Sequence, residues 1–305
     1  MLKSFLDKKG TVYILAVICS SFWGFSFLGT QIALEKVDTI PLLALRWTVS
    51  AVIFLILYAV KAIKVNYKGK PVKLLLILGA LQPCFYSIFE TTGIKYTTPS
   101  ESSIFIATIP LMVIITGVLF LHKKCSVRTT LAILIAFTGV AISVCFSPAF
   151  SLGGKWIGYL SLFFAVLLGG FFSHASSKAA ESFTTMEATM AISIMGSVFF
   201  NLINFGAGYG FSGYVTCFTD MRTLLSVLFL GSCCSCICYI LYNYVLGKLP
   251  TAIGTNLTAN MTTIVGIISG VAFVNDPFGW FTILGVVMTL TGIYLSTSDK
   301  KEKTL

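Results

Sequence analysis

The chain has 305 residues, of which 56% are Ala, Val, Ile, Leu, Met, Phe, Trp, Tyr or Cys and only 10% are charged. A soluble domain holds about 45–50% apolar residues with glycine included, and about 25% charged. This composition, with a mean hydropathy of +0.92, excludes a soluble enzyme, a nucleic-acid binder and a disordered chain. The net charge of +10 sits mostly in gaps between apolar runs, where Lys and Arg set membrane orientation.

A helix needs about 20 mainly apolar residues to cross the roughly 30 Å hydrocarbon core. Ten such runs lie near 11–33, 40–60, 73–93, 100–121, 129–147, 156–177, 187–206, 221–246, 251–274 and 279–297. They are apolar all round, where barrel strands would alternate every second residue. The expected fold class is an all-α membrane protein with ten transmembrane helices.

The first run follows Lys3, Lys8 and Lys9 but has no small-residue cleavage site, so it reads as a retained helix and not a secretory signal. It carries Trp23 in mid-run between Ser21 and Ser26, far from the interfaces where Trp usually sits. Arg46 lies about one and a half turns into the second run, and Glu90 less than a turn from the outer end of the third. A charge at mid-membrane costs about 2.5–3.5 kcal/mol on insertion scales. Placed near the same leaflet, Arg46 and Glu90 can pair and lower each other's burial cost. They serve either as a gate or substrate anchor, in which Arg46 holds an anionic group or Glu90 carries a coupled proton, or as side chains snorkelling to the interface. Glu101, after Pro99 and Ser100, suits the positive end of the fourth helix.

His174, in Ser173-His174-Ala175-Ser176-Ser177, can relay protons or hydrogen-bond a neighbouring helix. In the seventh run Asn201 and Asn204 read as packing residues. The eighth holds Cys233-Cys234-Ser235-Cys236-Ile237-Cys238, which lacks the loop-borne pairs of a zinc site and reads as small apolar filler. Tyr239 and Asn243 follow. Asn256 and Asn260 are spaced i, i+4 and share one face of the ninth helix, with Thr255, Thr258 and Thr263 nearby. That face lines a cavity or makes interhelical hydrogen bonds, worth about 0.6 kcal/mol each. The longest loop, 207–220, is too short for a catalytic domain.

With the N-terminus inside, the inner segments collect Lys3, Lys8, Lys9, the lysines of 61–73, Lys123, Lys124, Arg128, Lys178, Lys248, Lys300, Lys301 and Lys303. The outer segments keep Lys36, Lys95, Lys155 and Arg222. This asymmetry predicts a multi-pass cell-membrane protein with both termini cytoplasmic.

The chain also resembles itself at an offset of 153. Ile114-Ile115 matches Ile267-Ile268, Gly117-Val118 matches Gly270-Val271, Phe120 matches Phe273, and Thr138-Gly139 matches Thr291-Gly292. Tyr86 and Lys95 match Tyr239 and Lys248, and Asn243 stands at the position of Glu90. Two halves, 1–147 and 148–305, would each hold five helices. An odd number makes the second half enter the membrane from the opposite side, the inverted repeat of many secondary transporters.

These residues carry a family resemblance over nearly the whole chain. Phe22-Trp23-Gly24-Phe25-Ser26-Phe27, Pro41 followed by Arg46, Thr108-Ile109-Pro110-Leu111 with Gly117 and Phe120-Leu121, and Gly139 resemble the helix motifs of EamA-type members of the drug/metabolite transporter superfamily. Where such repeats usually place a Glu after helices 4 and 9, this chain has Lys123 and Asp276. The resemblance implies a monomeric or homodimeric carrier or exporter of small metabolites, with helices 1, 3, 4, 6, 8 and 9 around the path. The substrate-pathway or gate candidates are Trp23, Ser26, Arg46, Tyr86, Glu90, His174, Tyr239, Asn243, Asn256 and Asn260. The expected partners are a small-molecule solute such as an amino acid or amphipathic compound, the lipid bilayer and protons, with no nucleic acid and no cofactor. No Gly-Lys-Ser/Thr loop supports ATP-driven transport. The alternatives are an integral-membrane enzyme acting on a lipid-linked substrate, and a channel.

Overall fold

The structure is a computed structural model that describes residues 9–122, 125–148, 156–248 and 251–297, except the side chains of 9, 243, 246–248, 251–257 and 297. Among the described residues there are helices and no strands. In chain order they are α1 (Lys9–Leu34), α2 (Thr39–Ala59), α3 (Val72–Tyr96), α4 (Pro99–Leu121), α5 (Val127–Cys145), α6 (Trp156–Ala179) and α7 (Thr185–Gly206). A short α8 (Ser212–Thr219) follows, then α9, in three pieces (Met221–Leu228, Phe229–Ile237, Cys238–Lys248), α10 (Thr251–Val274) and α11 (Trp280–Thr297). Eight are long and apolar enough to cross a membrane, and the described parts of α10 and α11 add two shorter apolar helices. The all-α membrane class follows; among the described residues α8 is the one helix outside the ten expected runs, formed within the loop 207–220.

Among the described residues, three spans depart from straight α-helix. In α3, Ala80–Tyr86 is a π-helix containing Pro83, whose missing N–H cannot serve an i−4 carbonyl. In α9, Phe229–Ile237 is also π, without proline. α4 is interrupted at Ala107-Thr108, just before Pro110, whose ring removes the N–H that the Ile106 carbonyl would accept in an unbroken helix. Such departures are commonly found at functional sites.

The two halves meet through equivalent contacts. A Cβ on Gly139 of α5 would stand 2.6 Å from the Gly285 carbonyl of α11, and one on Gly292 of α11 would stand 2.5 Å from the Ala132 carbonyl of α5. Residues 139 and 292 differ by the 153 of the internal repeat, as do 132 and 285, so the seam is self-complementary in the manner of a two-fold interface. Phe25 of α1 meets Phe273 of α10 at 6.3 Å, and Phe171 of α6 meets Phe120 of α4 at 5.0 Å. Gly24 lies against Val265, and Gly170 against Met112. Here α4 and α10 keep the 153 offset, while α1 and α6 are offset by 146. α2 and α7 share that smaller offset. Asp38 and Thr184 are their N-caps, and Phe54 packs with Met190 as Phe200 packs with Ala44. A seven-residue difference therefore enters between the second and third helices of each half.

The segment 60–71 is pinned to the start of α7 by Glu187, which is 4% exposed at its side chain. Its Oε2 accepts from Lys70 Nζ at 2.6 Å and its Oε1 from the Asn66 backbone N–H at 2.8 Å. It also closes a capping box with Thr184. Tyr67 donates to the Glu187 carbonyl, and burial, then the Glu187 charge, raise the Tyr67 hydroxyl above its ordinary pKa. Glu187→Ala would strand these donors. It is expected to lower the unfolding free energy by about 3 kcal/mol, whereas Glu181→Ala on the exposed turn nearby should stay within about 0.5 kcal/mol. Equilibrium unfolding in detergent checks both.

Candidate functional site

A cavity of about 270 Å³ lies between the halves, with walls from α1, α2, α3, α4, α6, α9 and α10. The local departures from α-helix bring its polar groups together. The first π segment carries Gln82 and Tyr86 at the wall; the second carries Ser235, which meets Arg46, and Tyr239 follows it on the wall. Gln82 Nε2 donates to the Tyr239 hydroxyl at 3.0 Å. Ile106, Ala107, Ile109 and Pro110, the residues around the break in α4, form part of the apolar side.

Arg46 of α2 and Glu90 of α3 face each other across this space. Arg46 Nη1 is 3.8 Å from Glu90 Oε2, with side chains 12% and 13% exposed. Arg46 Nε donates to Ser235 Oγ at 3.2 Å, and the Tyr86 hydroxyl donates to Glu90 Oε1 at 2.9 Å. The pair anticipated from two intramembrane charges is thus present. Its depth differs from the expectation. α3 continues through Gly93 and Lys95 to Tyr96, so Glu90 sits six residues before the helix end and not within its last turn. The repeat supplies no second pair: by the 146 offset, Ile192 stands in α7 where Arg46 stands in α2, and Ile192 is buried in packing.

Trp23, Ser26, Arg46, Tyr86, Glu90 and Tyr239 all line the cavity. Trp23 Nε1 donates to the Cys234 carbonyl at 3.3 Å, and its ring lies 5.9 Å from Tyr239 and 5.2 Å from Tyr242. His174 is elsewhere. Its Nε2 lies 3.0 Å from the Val113 carbonyl and 3.2 Å from Thr116 Oγ1, joining α6 to α4. Asn260 is half-buried and is not among the lining residues, although Thr258 and Thr263 of its helix are. The side chains of Asn243 and Asn256 lie outside the described residues.

Other sequence expectations meet their partners. Glu101 forms a capping box with Thr98 and accepts from Tyr159 at 3.1 Å. Asn201 and Asn204 bond within packing, Asn204 to the Gly210 carbonyl at 2.8 Å. Cys234 and Cys238 both turn to α1, toward the carbonyls of Phe22 and Cys19. Asp276, at the second position where the resemblance led to a Glu, accepts from the Ser100 backbone N–H at 2.9 Å and so caps α4.

Sequence reasoning missed Gln82, Ser235 and Tyr242. The offset of 153 held a signal for the first two, since 82 and 235 are repeat partners just as 86 and 239 are. Nothing in the sequence marked Tyr242 apart from the chain's eleven other tyrosines.

The EamA-like transporter family model matches residues 10–145 and again 156–298. The chain is 25% identical over 300 residues to the uncharacterized transporter YcxC of Bacillus subtilis (strain 168), covering 97% of this chain and 96% of that one. It is 24% identical over 301 residues to a probable amino-acid metabolite efflux pump of Escherichia coli (strain K12), covering 95% and 94%. A solved crystal structure superposes with a TM-score of 0.67 over 95% of this chain and 97% of that one, at 13% identity, a likeness of fold alone. The relatives' names indicate a transporter and not an enzyme. With the family match covering both halves of a helical membrane fold, this chain belongs to the EamA-like transporter family.

Proposed function

We propose that this transporter is a secondary carrier that exports a small organic metabolite, such as an amino acid or amphipathic compound, by alternating access. The observation that carries this reading is the cavity between two equivalent halves, holding a charge pair inside an otherwise apolar wall. Ions buried this way are costly, and in membrane proteins they typically mark a solute path. The halves, 1–147 and 148–305, are the units that rock around the cavity, entering a cell membrane in opposite senses with both termini cytoplasmic. Equivalent contacts on both sides of the cavity give the inward-open and outward-open shapes similar energies. The E. coli relative's name supports export and the amino-acid class. In this reading Glu90 carries the coupled proton.

The test is flux in proteoliposomes with labelled amino acids and an imposed pH gradient. Saturable uptake that accelerates when unlabelled solute is preloaded is expected of a carrier. Flux that never saturates would instead mark a channel and overturn the reading. Saturable flux indifferent to every pH gradient would remove the proton role of Glu90 and leave the carrier.

A further inference from the structure

We infer that Asp276 is a positioning residue for transport: it latches the outer end of the cavity by holding the start of α4, while its repeat counterpart, Lys123, can form no such latch, so the carrier rests with its outer face closed. This rests on the carrier reading. The α5–α11 seam gives the two shapes similar energies, and the latch tips the balance between them.

The chain builds the latch locally. α10 ends at Val274, and Asn275 follows in the left-handed region with a φ of 54°, which Asn tolerates. That turn lets the Asp276 N–H donate back to the Gly270 carbonyl at 3.1 Å. The Asp276 side chain then crosses to the other half, where Oδ2 accepts from the Ser100 backbone N–H at 2.9 Å. A carboxylate at a helix start gains from both the charge-assisted bond and the helix dipole. Asp276 is buried, so water competes little for this contact.

Beside the latch, α4 and α10 touch through small residues. A Cβ on Gly266 would stand 2.5 Å from the Ser103 Cβ. One on Gly270 would stand 2.6 Å from the Ser100 Oγ and would also strike the Asp276 carboxylate. Farther along, the cavity separates the same two helices. Ala107 and Val113 line it from α4, and Thr258 and Thr262 from α10. The close approach therefore lies between the cavity and the membrane face where α4 begins, which is the outer face when both termini are cytoplasmic.

The other end of the same helix pair is chemically different. At the offset of 153, the counterparts of Ser100, Ser103, Gly266 and Asp276 are Ile253, Asn256, Val113 and Lys123. Valine for glycine and asparagine for serine add bulk where close approach needs none. Lysine has no acceptor for a helix N–H, and its charge is unfavourable at a helix start. A latched outer closure set against an unlatched inner one makes the inward-open shape the more populated.

Hydrogen exchange of the purified full-length protein in nanodiscs, read by mass spectrometry, tests this. In the wild type, amides of 100–106 and 264–274 are expected to be at least about tenfold better protected than those of 115–121 and 255–261. Asp276→Ala is expected to speed exchange about tenfold in the outer pair of segments and to slow it in the inner pair, because the two ends open in alternation. A merely structural cap, once lost, would loosen the outer pair without slowing the inner one. Asp276→Asn keeps an acceptor oxygen and should hold most of the wild-type pattern. Lys123→Glu supplies an acceptor at the inner counterpart and should slow the inner pair by at least about threefold. It leaves Asp276 in place, so the test stands if Asp276→Ala fails to fold. Equal protection of the two pairs in the wild type overturns the proposal. So does faster exchange at both ends in Asp276→Ala, or an inner pair unmoved by Lys123→Glu. Saturable flux with Asp276→Ala exchanging like the wild type would overturn the latch alone. The expected exchange pattern in a protein whose flux never saturates would overturn the carrier reading alone.

Discussion

Arg46→Gln and Glu90→Gln are each expected to reduce transport by at least about 100-fold and to lower the unfolding free energy by about 2–3 kcal/mol. The two side chains are only 12% and 13% exposed, so water screens them little. Removing one charge leaves the other in an apolar wall with neutral partners alone, Ser235 and the Trp47 ring for Arg46 or Tyr86 for Glu90. The double substitution is expected to regain most of the stability, because no charge is then left alone, and none of the transport. Two amides at those positions hydrogen-bond to each other and to Ser235 and Tyr86 but attract no ion. Unfolding and counterflow measured on the same four proteins close the cycle. Additive losses of stability would show that the pair is not coupled across its 3.8 Å. Normal transport in the double variant would take both residues out of the mechanism.

The second large effect lies away from the cavity. Gly139→Ala or Gly292→Ala would place a Cβ within 2.6 Å of a backbone carbonyl on the facing helix, closer than real Cβ contacts come. Backbone cannot give way as a flexible side chain can, so α5 and α11 must separate along the seam. Overpacking costs about 1–3 kcal/mol in ordinary cores, and the upper end or beyond is expected here because the obstacle is main chain. Thr289 Oγ1 donates to the Ala136 carbonyl at 3.3 Å within the same seam and would lose that bond as the helices part. Gly206, the last residue of α7, has nothing within 4 Å of a built Cβ. Gly206→Ala is expected to unfold within about 0.5 kcal/mol of the wild type. Thermal unfolding of the three variants, with membrane yield alongside, checks the contrast. Equal tolerance at all three positions would mean that the seam is looser than its geometry.

The membrane class, the number of long runs and the pairing of Arg46 with Glu90 were legible in the residues. Apolar length and the cost of intramembrane charge are local and chemical, and both can be counted along a chain. Trp23 was legible as a residue far from the interfaces where Trp usually sits, and Tyr86 with Tyr239 as partners at the offset of 153. His174 was not. The chain alone does not say which groups face a histidine near a helix end, and its approach to Val113 and Thr116 of α4 comes from the packing. The repeat was half legible. Its 153 register covers the third to fifth helices of each half, where the matched residues lie. The first two helices repeat at 146, and a shift of seven residues hides them from a single fixed offset. Contacts such as Phe25–Phe273 beside Phe171–Phe120 reveal it, because packing depends on position in space and not on counting.

What the sequence determined by itself is the solvent this protein folds in, its helical class and the few polar groups it places among apolar ones. Each follows from transfer free energies that act residue by residue. What only the tertiary structure decided is which of those groups meet. The π segments of α3 and α9 change the helical register and swing Ser235 toward Arg46 and Gln82 toward Tyr239. The break before Pro110 opens α4 beside them. Hydrogen bonding within a helix is satisfied almost equally well in several local registers, so the packing of neighbouring helices chooses among them, and with that choice it builds the cavity.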